Sequence, residues 1–287
     1  MSGTSVEDLR PGDHACLTFS DTDERLDIVA AFVRDGLRAG EKVVCLTESL
    51  SPTALTEELA RRGFAPQRAD GQLHIAAAGE FFVPDGVFDS GRVLGALRAQ
   101  IELAGRDGYH GLRVTSDMCW ALRPVSGAAG LMDYESQLTR ILAQENATAV
   151  CQYDRQCFDT VTLATAAEAH GATVAAITYH DDAMLRICRQ HVPTGVRVAG
   201  EIDYRAAEPL TRAMAEALAL DDHIDVNLTR LVFLDTVAAG VIVQSAVGLT
   251  AAQRMTVRCQ GMPYKILTAL GLRDIPGVTL MAVAHGD

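Results

Sequence analysis

Apolar runs alternate with amphipathic runs over residues 1–180, and this alternation predicts an α/β fold. Short, mostly apolar runs predict strands at 14–19, 42–47, 73–77, 112–116 and 148–153, of which 42–47 is expected to be buried. Apolar residues at helical spacing predict helices between and after them, at 25–39, 52–62, 90–105, 130–144 and 159–169. Strands that alternate with helices in this way are typical of a parallel sheet covered by helices.

A second unit with a different order of elements follows the polar stretch at His180. The pattern predicts the order ββαβαβαβ, with elements at 186–192, 195–199, 205–220, 223–227, 236–252, 255–259, 263–270 and 278–283. We therefore predict two domains, 1–180 and 181–287, with residues 179–185 as the joint. A length of 287 residues suits two domains of ordinary size.

Composition and charge narrow the class of protein. Hydrophobic residues make up 48% and charged residues 22% of the chain, as in ordinary globular proteins. The net charge of -12 repels nucleic acid phosphates, so no nucleic acid partner is expected. Neither a signal peptide nor an apolar run of about 18 residues is found, so no membrane partner is expected. The seven cysteines form no Cys-x-x-Cys pair, which agrees with a reducing cytoplasm.

The C-terminal unit carries two motifs in a characteristic order. The first is Gly200-Glu-Ile-Asp203, and the second is Asp225-Val-Asn-Leu-Thr-Arg-Leu-Val-Phe-Leu-Asp235, followed by a helix of small residues. In this the chain resembles the STAS domain, found in sulfate transporters and anti-sigma factor antagonists, over residues 185–285. The resemblance implies bacterial signal transduction and transcription regulation, with an anti-sigma factor or a serine-kinase-like protein as partner.

The same resemblance implies a phosphorylation and partner-binding site at the second motif. In anti-sigma factor antagonists an Asp is followed by hydroxyl residues and Gly; Asp235 matches this Asp and Thr236 the first hydroxyl. Val237 and Ala238 replace the second hydroxyl and the Gly. The alternative is that Asp235 or Thr236 only caps the next helix.

Three further residues belong to the site that the resemblance implies. Glu201 and Asp203 match acidic positions at the same end of the family fold, and Asn227 stands where an Asp is common. The alternative for Glu201 and Asp203 is a role as turn and cap residues.

The N-terminal unit carries five short motifs: Gly12-Asp-His-Ala-Cys16, Gly40-Glu-Lys-Val-Val44, Asp117-Met-Cys-Trp120, Tyr134-Glu135 and Cys151-Gln-Tyr-Asp154. Their order resembles the MEDS domain, a sensory domain of methanogens and methylotrophs, over residues 8–172. The resemblance implies sensing of simple hydrocarbon derivatives and a RecA-like three-layer α/β sandwich. A G-x-x-x-x-G-K-[ST] run is absent from the sequence, so the phosphate cradle of a P-loop is missing.

Several residues of this domain are candidate ligand contacts. His14 and Cys16 lie two apart, so on a strand both side chains point to one face. Together with Cys151, Tyr153 and His170 they are candidates to line one pocket or to hold a soft metal. Because a hydrogen-bonded histidine beside buried thiols is the commoner arrangement, we predict no metal site, and core packing remains the alternative.

The other candidate ligand contacts lie near strand ends or at the start of a helix. Trp120 follows a predicted strand, where open α/β sheets place their ligands, or else it anchors the core. Asp154 ends the central strand, and Arg113 and Asp117 flank the same edge or pair with each other. The remaining candidates open a helix, where a carboxylate suits the helix dipole: Tyr134 and Glu135.

The two resemblances together predict a signalling regulator rather than an enzyme. A small apolar ligand binds the first domain and changes how the second meets its partner. A homodimer agrees with the size and the acidity of the chain. The sequence indicates no particular cofactor. The alternatives are an enzyme that uses Cys16 or Cys151 with His14, and a scaffold that dimerises without a ligand.

Overall fold

The computed structural model describes residues 3–64 and 71–283 and divides into two compact units, Met1–Ala175 and Ala176–Asp287. The predicted boundary lay at residue 180. The difference arises because part of the predicted joint forms a strand, Thr178–Asp181, that pairs with the next strand of the second unit.

The N-terminal unit is built on a parallel sheet of six strands in the order β3-β2-β4-β5-β1-β6. The strands are β1 His14–Phe19, β2 Lys42–Thr47, β3 Leu73–Ala77, β4 Leu112–Asp117, β5 Ala147–Asp154 and β6 Ala172–Val174. The helices are α1 Thr22–Arg38, α2 Pro52–Arg61, α3 Ala78–Phe82, α4 Ser90–Arg106, α5 Leu131–Leu142 and α6 Thr160–Ala169. The predicted α/β fold is confirmed.

Helices cover both faces of this sheet. Side chains alternate along β4, so Leu112 and Val114 enter one core together with α4 and α5. Arg113 points to the other face, where its guanidinium lies over the ring of Phe32 in α1, 4.8 Å from the ring centre. The sheet and the helices on its two faces form three layers, as predicted. Aspartate caps fix where helices of both outer layers begin: Asp21 accepts from the backbone N–H of Glu24 in α1, and Asp89 from that of Arg92 in α4.

The C-terminal unit holds a second six-stranded sheet, in the order β12-β11-β10-β9-β8-β7. Its strands are β7 Thr178–Asp181, β8 Leu185–His191, β9 Thr194–Ile202, β10 His223–Leu234, β11 Arg254–Cys259 and β12 Val278–Ala282. Its helices are α7 Ala207–Leu220, α8 Thr236–Val247 and α9 Gly261–Ala269. Strands β7 to β9 are antiparallel, whereas β9 to β12 run parallel. The predicted ββαβαβαβ order is confirmed, with β7 as an additional first strand.

Strand β10 extends to Leu234, although the prediction ended it at Asn227. Its pairing with β9 shifts register twice, the second time between Leu231 and Phe233. Such a bulge disturbs the alternation of side chains between the two faces. Two consecutive residues, Val232 and Phe233, are therefore both exposed.

Gly200 allows the close approach of β8 and β9 at their ends. Its φ is +100°, and a Cβ at this position would lie 2.0 Å from the carbonyl oxygen of Met184. Only glycine fits both conditions. Among residues 3–64 and 71–283, no helix combines the length and the apolar character needed to cross a membrane.

Candidate functional site

Four buried side chains with metal-binding or acid–base chemistry converge inside the N-terminal unit. We call them the His14 cluster: His14 on β1, Glu135 on α5, Cys151 on β5 and His170 directly after α6. One donor atom from each lies within 4.8 Å of the other three. The side chains of His14, Glu135 and His170 are fully enclosed.

Glu135 is the centre of the His14 cluster. Its Oε2 lies 3.3 Å from His14 Nε2 and 3.5 Å from His170 Nε2, and the Cys151 Sγ lies 3.6 Å from the same oxygen. The hydroxyl of Tyr153 donates to the other oxygen, Oε1, at 2.5 Å. His14 Nε2 is also 3.3 Å from Cys151 Sγ.

Neighbouring backbone groups and one hydroxyl hold the two imidazole rings. His170 Nδ1 lies 2.6 Å from the carbonyl oxygen of Ala166, one turn earlier in α6. His14 Nδ1 lies 2.7 Å from the Thr139 Oγ1, whose hydroxyl contacts the carbonyl oxygens of Ala169 at 2.8 Å and of Glu135 at 3.2 Å. Each ring therefore turns its Nε2 toward the carboxylate.

Burial and mutual charge shift the pKa values in this region. Burial raises the pKa of Glu135, but His170, His14 and Tyr153 lower it by more, so its pKa lies below the usual range. Burial lowers the pKa of His170 to about 4. Burial, with a smaller effect of the Glu135 charge, raises the pKa of Cys16 to about 12 and that of Cys151 well above its usual range. Neutral thiols at physiological pH do not favour a thiolate nucleophile.

The structure brings together five of the predicted ligand contacts. His14, Cys16, Glu135, Cys151 and Tyr153 are adjacent, and none is more than 3% exposed. They share one location, as predicted for a pocket, but it is closed. Glu135 does not act at a helix dipole as expected, because it lies in the second turn of α5 and points toward the sheet, where the Tyr153 hydroxyl reaches it.

Two other predicted contacts belong to the hydrophobic core. Trp120 stacks on Phe82 with ring centres 4.7 Å apart, and Tyr134 meets the edges of Phe82 and Phe88. Trp120 is fully buried, and its indole N–H has no hydrogen-bond partner among the described residues. Trp120 therefore acts as a core anchor, the second of the two predicted roles, and does not form a pocket wall.

Arg113 and Asp117 neither pair with each other nor flank one edge. They lie at opposite ends of β4, and Arg113 Nε donates to Glu41 Oε2 at 2.6 Å. Asp117 instead pairs with Arg25, whose Nη2 lies 2.8 Å from its Oδ2. The side chains of Arg25 and Asp117 are 4% and 0% exposed. Asp154 ends β5 as predicted and accepts from the backbone N–H of Gln156.

A surface cavity of about 410 Å³ lies elsewhere in the N-terminal unit. It is formed by β2, β3, α3 and α4. Six of its lining residues are apolar: Val44, Leu46, Ala76, Ala77, Phe81 and Leu103. The polar ones are Lys42, His74, Glu80 and Gln100. None of the predicted ligand contacts lines this cavity.

In the C-terminal unit, Asp235 and Thr236 form an accessible strand-to-helix corner. Asp235 Oδ1 accepts from the backbone N–H of Ala238 at 2.8 Å and so caps α8. Its Oδ2 accepts from the backbone N–H of Tyr204 at 2.8 Å. Thr236 is exposed. The capping role is therefore present, and it leaves the hydroxyl of Thr236 accessible to another molecule.

The other predicted residues of this site divide into two groups. Glu201 is exposed, whereas Asp203 caps the 3-10 turn Tyr204–Ala206. Both residues line a cavity of about 350 Å³ beside the corner. Asn227 is 5% exposed and lies in the middle of β10, where its amide donates to Gln190 Oε1 at 2.8 Å. Asn227 thus lies apart from the exposed corner, because it forms part of the internal hydrogen bonding of the sheet.

Exposed apolar side chains adjoin the corner. Val232 is 71% exposed, Phe233 47% and Val237 50%. Phe233 also lines the cavity that Glu201 and Asp203 share. Apolar groups beside charged ones are typical of surfaces that bind other proteins.

Two polar groups escaped the sequence interpretation, the buried Arg25 and the half-buried Thr139. Arg25 looked like an ordinary residue near a helix start, and Thr139 like a polar position in α5. Neither is marked by a motif, since their partners lie far away in sequence at Asp117 and His14. The sequence offered one indication of their burial: both residues lie on the apolar side of an amphipathic helix.

A search of curated proteins gave no match. One similar solved structure is a KaiC-like protein from the hyperthermophilic archaeon Pyrococcus horikoshii OT3, with 14% identity, a TM-score of 0.46, and coverage of 63% of this chain and 79% of that one. Another is the RadB recombinase, with 15% identity, a TM-score of 0.41, and coverage of 67% of this chain and 88% of that one.

Family models match both units. The model of the STAS domain matches residues 187–283. The model of the MEDS domain, described as the methanogen/methylotroph, DcmR sensory domain, matches residues 13–171, which is more than half of the chain. The chain therefore belongs to the MEDS family, and a STAS domain follows its sensory domain.

Proposed function

We propose that this protein is a cytoplasmic, non-enzymatic signalling regulator whose STAS domain binds a partner protein at the corner formed by Asp235 and Thr236. The observation that carries the proposal is the exposure of this corner together with Val232, Phe233 and Val237. A partner that covers these side chains removes apolar surface from water, which favours association.

The proposed partner is an anti-sigma factor or a serine-kinase-like protein. Carboxylates at Glu201, Asp203 and Asp235 surround the apolar residues, so a basic rim on the partner would complement them. Thr236 is the first residue of α8, where unpaired backbone N–H groups tolerate a phosphate. A phosphate there adds a charge of roughly -1.5 to -2 next to the apolar residues that the partner covers, Val232, Phe233 and Val237, and the cost of desolvating this charge disrupts the contact.

The MEDS domain supplies the sensory input in this proposal. The cavity of about 410 Å³ between β2, β3, α3 and α4 has the size and the apolar lining of a small-molecule site. A small apolar molecule fits Val44, Leu46, Phe81 and Leu103 better than a charged one, since these side chains offer no counter-charge. The ligand acts on the partner only if it favours one arrangement of the protein over another.

The partner proposal is tested by affinity capture with Thr236→Asp. The introduced carboxylate imitates part of the phosphate charge, so we expect a partner that wild type retains to be lost. The matched control is Thr211→Asp, which places the same charge on the exposed surface of α7 in the same unit. Equal capture by both variants, or no specific partner for wild type, would contradict the proposal.

The sensory proposal has its own test. Small hydrocarbon derivatives are screened for a rise in the melting temperature, because a ligand of the folded state stabilises it. Ala76→Phe fills the cavity and should abolish the rise, whereas Ala164→Phe on the exposed side of α6 should leave it unchanged. A rise that survives in Ala76→Phe would place the ligand elsewhere.

A further inference from the structure

We propose that the His14 cluster binds one zinc-like divalent metal ion through His14 Nε2, His170 Nε2, Cys151 Sγ and Glu135 Oε2. This site is separate from the cavity of about 410 Å³ and from the STAS corner. It does not depend on the function proposed above.

The hydrogen bonds on the far side of each ring determine which nitrogens carry protons. A carbonyl oxygen only accepts, so His170 Nδ1, 2.6 Å from the Ala166 oxygen, must donate. The Thr139 hydroxyl has two carbonyl oxygens to donate to, so its own oxygen accepts from His14 Nδ1 at 2.7 Å. In a neutral imidazole the other nitrogen then carries a lone pair.

Both Nε2 lone pairs therefore face a carboxylate in a closed interior. His170 Nε2 is buried without a hydrogen-bond partner among residues 3–64 and 71–283, at 3.5 Å from Glu135 Oε2. The single S–H of Cys151 can donate to only one acceptor at a time, either His14 Nε2 or Glu135 Oε2. Buried acceptors left facing one another cost free energy. A cation among them satisfies all of them at once.

The distances agree with four ligands around one ion. Zinc binds His nitrogen and carboxylate oxygen at about 2.0–2.1 Å and Cys sulfur at about 2.3 Å, so the ligand atoms of a tetrahedral site lie about 3.3–3.6 Å apart. Four of the separations in the His14 cluster are 3.3, 3.3, 3.5 and 3.6 Å. No pair exceeds 4.8 Å. The other pairs would need to approach by at most about 1.5 Å to reach the tetrahedral spacing.

The surrounding shell and the charge also suit a divalent ion. Thr139 and Ala166 hold the rings through Nδ1, and Tyr153 occupies the second oxygen of Glu135. Such outer contacts orient the ligands of metal sites. A metal-bound thiol loses its proton, so one thiolate, one carboxylate and a divalent cation give a neutral centre. Four protein ligands leave no open position, which is typical of a structural zinc site.

The first test is metal content and cobalt spectroscopy on the full-length protein. Protein purified without an added chelator is analysed for metal, then stripped under mild denaturation and refolded with Co²⁺. We expect one equivalent of zinc in the first sample. In the second we expect a thiolate-to-cobalt charge-transfer band together with the intense visible bands of four-coordinate Co²⁺. This readout identifies a thiolate ligand without any variant.

Variants then assign the ligands. Cys151→Ala should lose the charge-transfer band and the bound metal. The control Cys45→Ala removes an equally buried thiol from β2 and should keep both. Thr139→Val leaves the four ligands in place but removes the contact to His14 Nδ1, together with the bonds of the hydroxyl to the carbonyl oxygens of Ala169 and Glu135, and should weaken binding about 10–100-fold.

Three outcomes would overturn the proposal. One is folded wild-type protein that takes up neither zinc nor Co²⁺ after refolding. Another is a cobalt spectrum that lacks the thiolate band. The third is metal binding that Cys151→Ala retains at full affinity. Each of these results leaves the partner and ligand proposals untouched, because they concern different surfaces.

Discussion

Replacing Arg25 with methionine removes the guanidinium that neutralises the buried carboxylate of Asp117. In the native protein this guanidinium donates to Asp117 at 2.8 Å, to Gln152 at 2.6 Å and to Ser49 at 2.5 Å. Asp117 also accepts from the backbone N–H and the hydroxyl of Ser49 and from the backbone N–H of Cys119. Methionine matches the length of the arginine stem but supplies no donor.

The expected loss of stability is large because neither partner is solvated. Both side chains are almost completely buried, at 4% for Arg25 and 0% for Asp117. Removing one partner of such a pair costs about 3–5 kcal/mol, much of it from the charge left behind. At an m value of about 2 kcal/mol/M in urea, the unfolding midpoint should fall by about 1.5–2.5 M.

Trp120 allows this measurement in the full-length protein. It is the single tryptophan of the chain and is fully buried in the N-terminal unit. Its fluorescence therefore follows the unfolding of that unit alone, which avoids the mixed signal of a protein with two domains. Arg61→Met is the control, since the Arg61 side chain is 63% exposed in its pair with Glu58 and should contribute less than about 0.5 kcal/mol.

The effect should also depend on pH. Burial raises the pKa of Asp117, but Arg25 and the hydrogen bonds from Ser49 and Cys119 lower it by more, so its pKa lies below the usual range. The stabilisation is complete above the unfolded pKa of about 3.9 and is lost as the pH falls through the folded pKa. The difference between wild type and Arg25→Met should therefore shrink below about pH 4. A loss under about 1 kcal/mol at pH 7, or a difference that stays constant down to pH 3, would refute this reasoning.

Three further predictions concern other features of the fold, the last with a matched control. Asp235→Ala removes the cap of α8 and should destabilise the C-terminal unit by about 1 kcal/mol, measured by hydrogen exchange of that helix. Phe82→Ala should cost about 3–5 kcal/mol and shift the emission of the stacked Trp120, and an unchanged emission would contradict the packing. Gly200→Ala should lower the melting temperature sharply because its Cβ meets backbone, whereas Gly240→Ala in α8 meets open space and should be neutral or stabilising by up to about 1 kcal/mol.

Local pattern was enough to predict most of the regular elements. The predicted limits of strands β1, β2 and β3 agree with the structure, because each run is mostly apolar although it includes polar residues such as Lys42 and His74. Strand β7 was missed because its four residues include a polar pair, His180 and Asp181, and its pairing with β8 is a tertiary event. The length of β10 was missed because charged and hydroxyl residues interrupt its apolar run beyond Asn227.

The functional residues were predicted less evenly. Side-chain alternation correctly placed His14 and Cys16 on one face, close to Cys151. The predicted pairing of Arg113 with Asp117 was wrong, because the two residues are four positions apart and lie at opposite ends of β4. The apolar cavity drew no prediction at all, since its lining comes from four elements, each of which resembles ordinary core in the sequence.

The two oxygens of Asp235 are bonded to two different segments, the start of α8 and the turn at Tyr204. An amide side chain has a single acceptor oxygen and could keep only one of these bonds. The carboxylate of Asp235 thus links the two segments through hydrogen bonds. A displacement of the first turn of α8 should therefore also move the turn at Tyr204, which follows β9. We expect these two segments to shift together when a partner binds the corner.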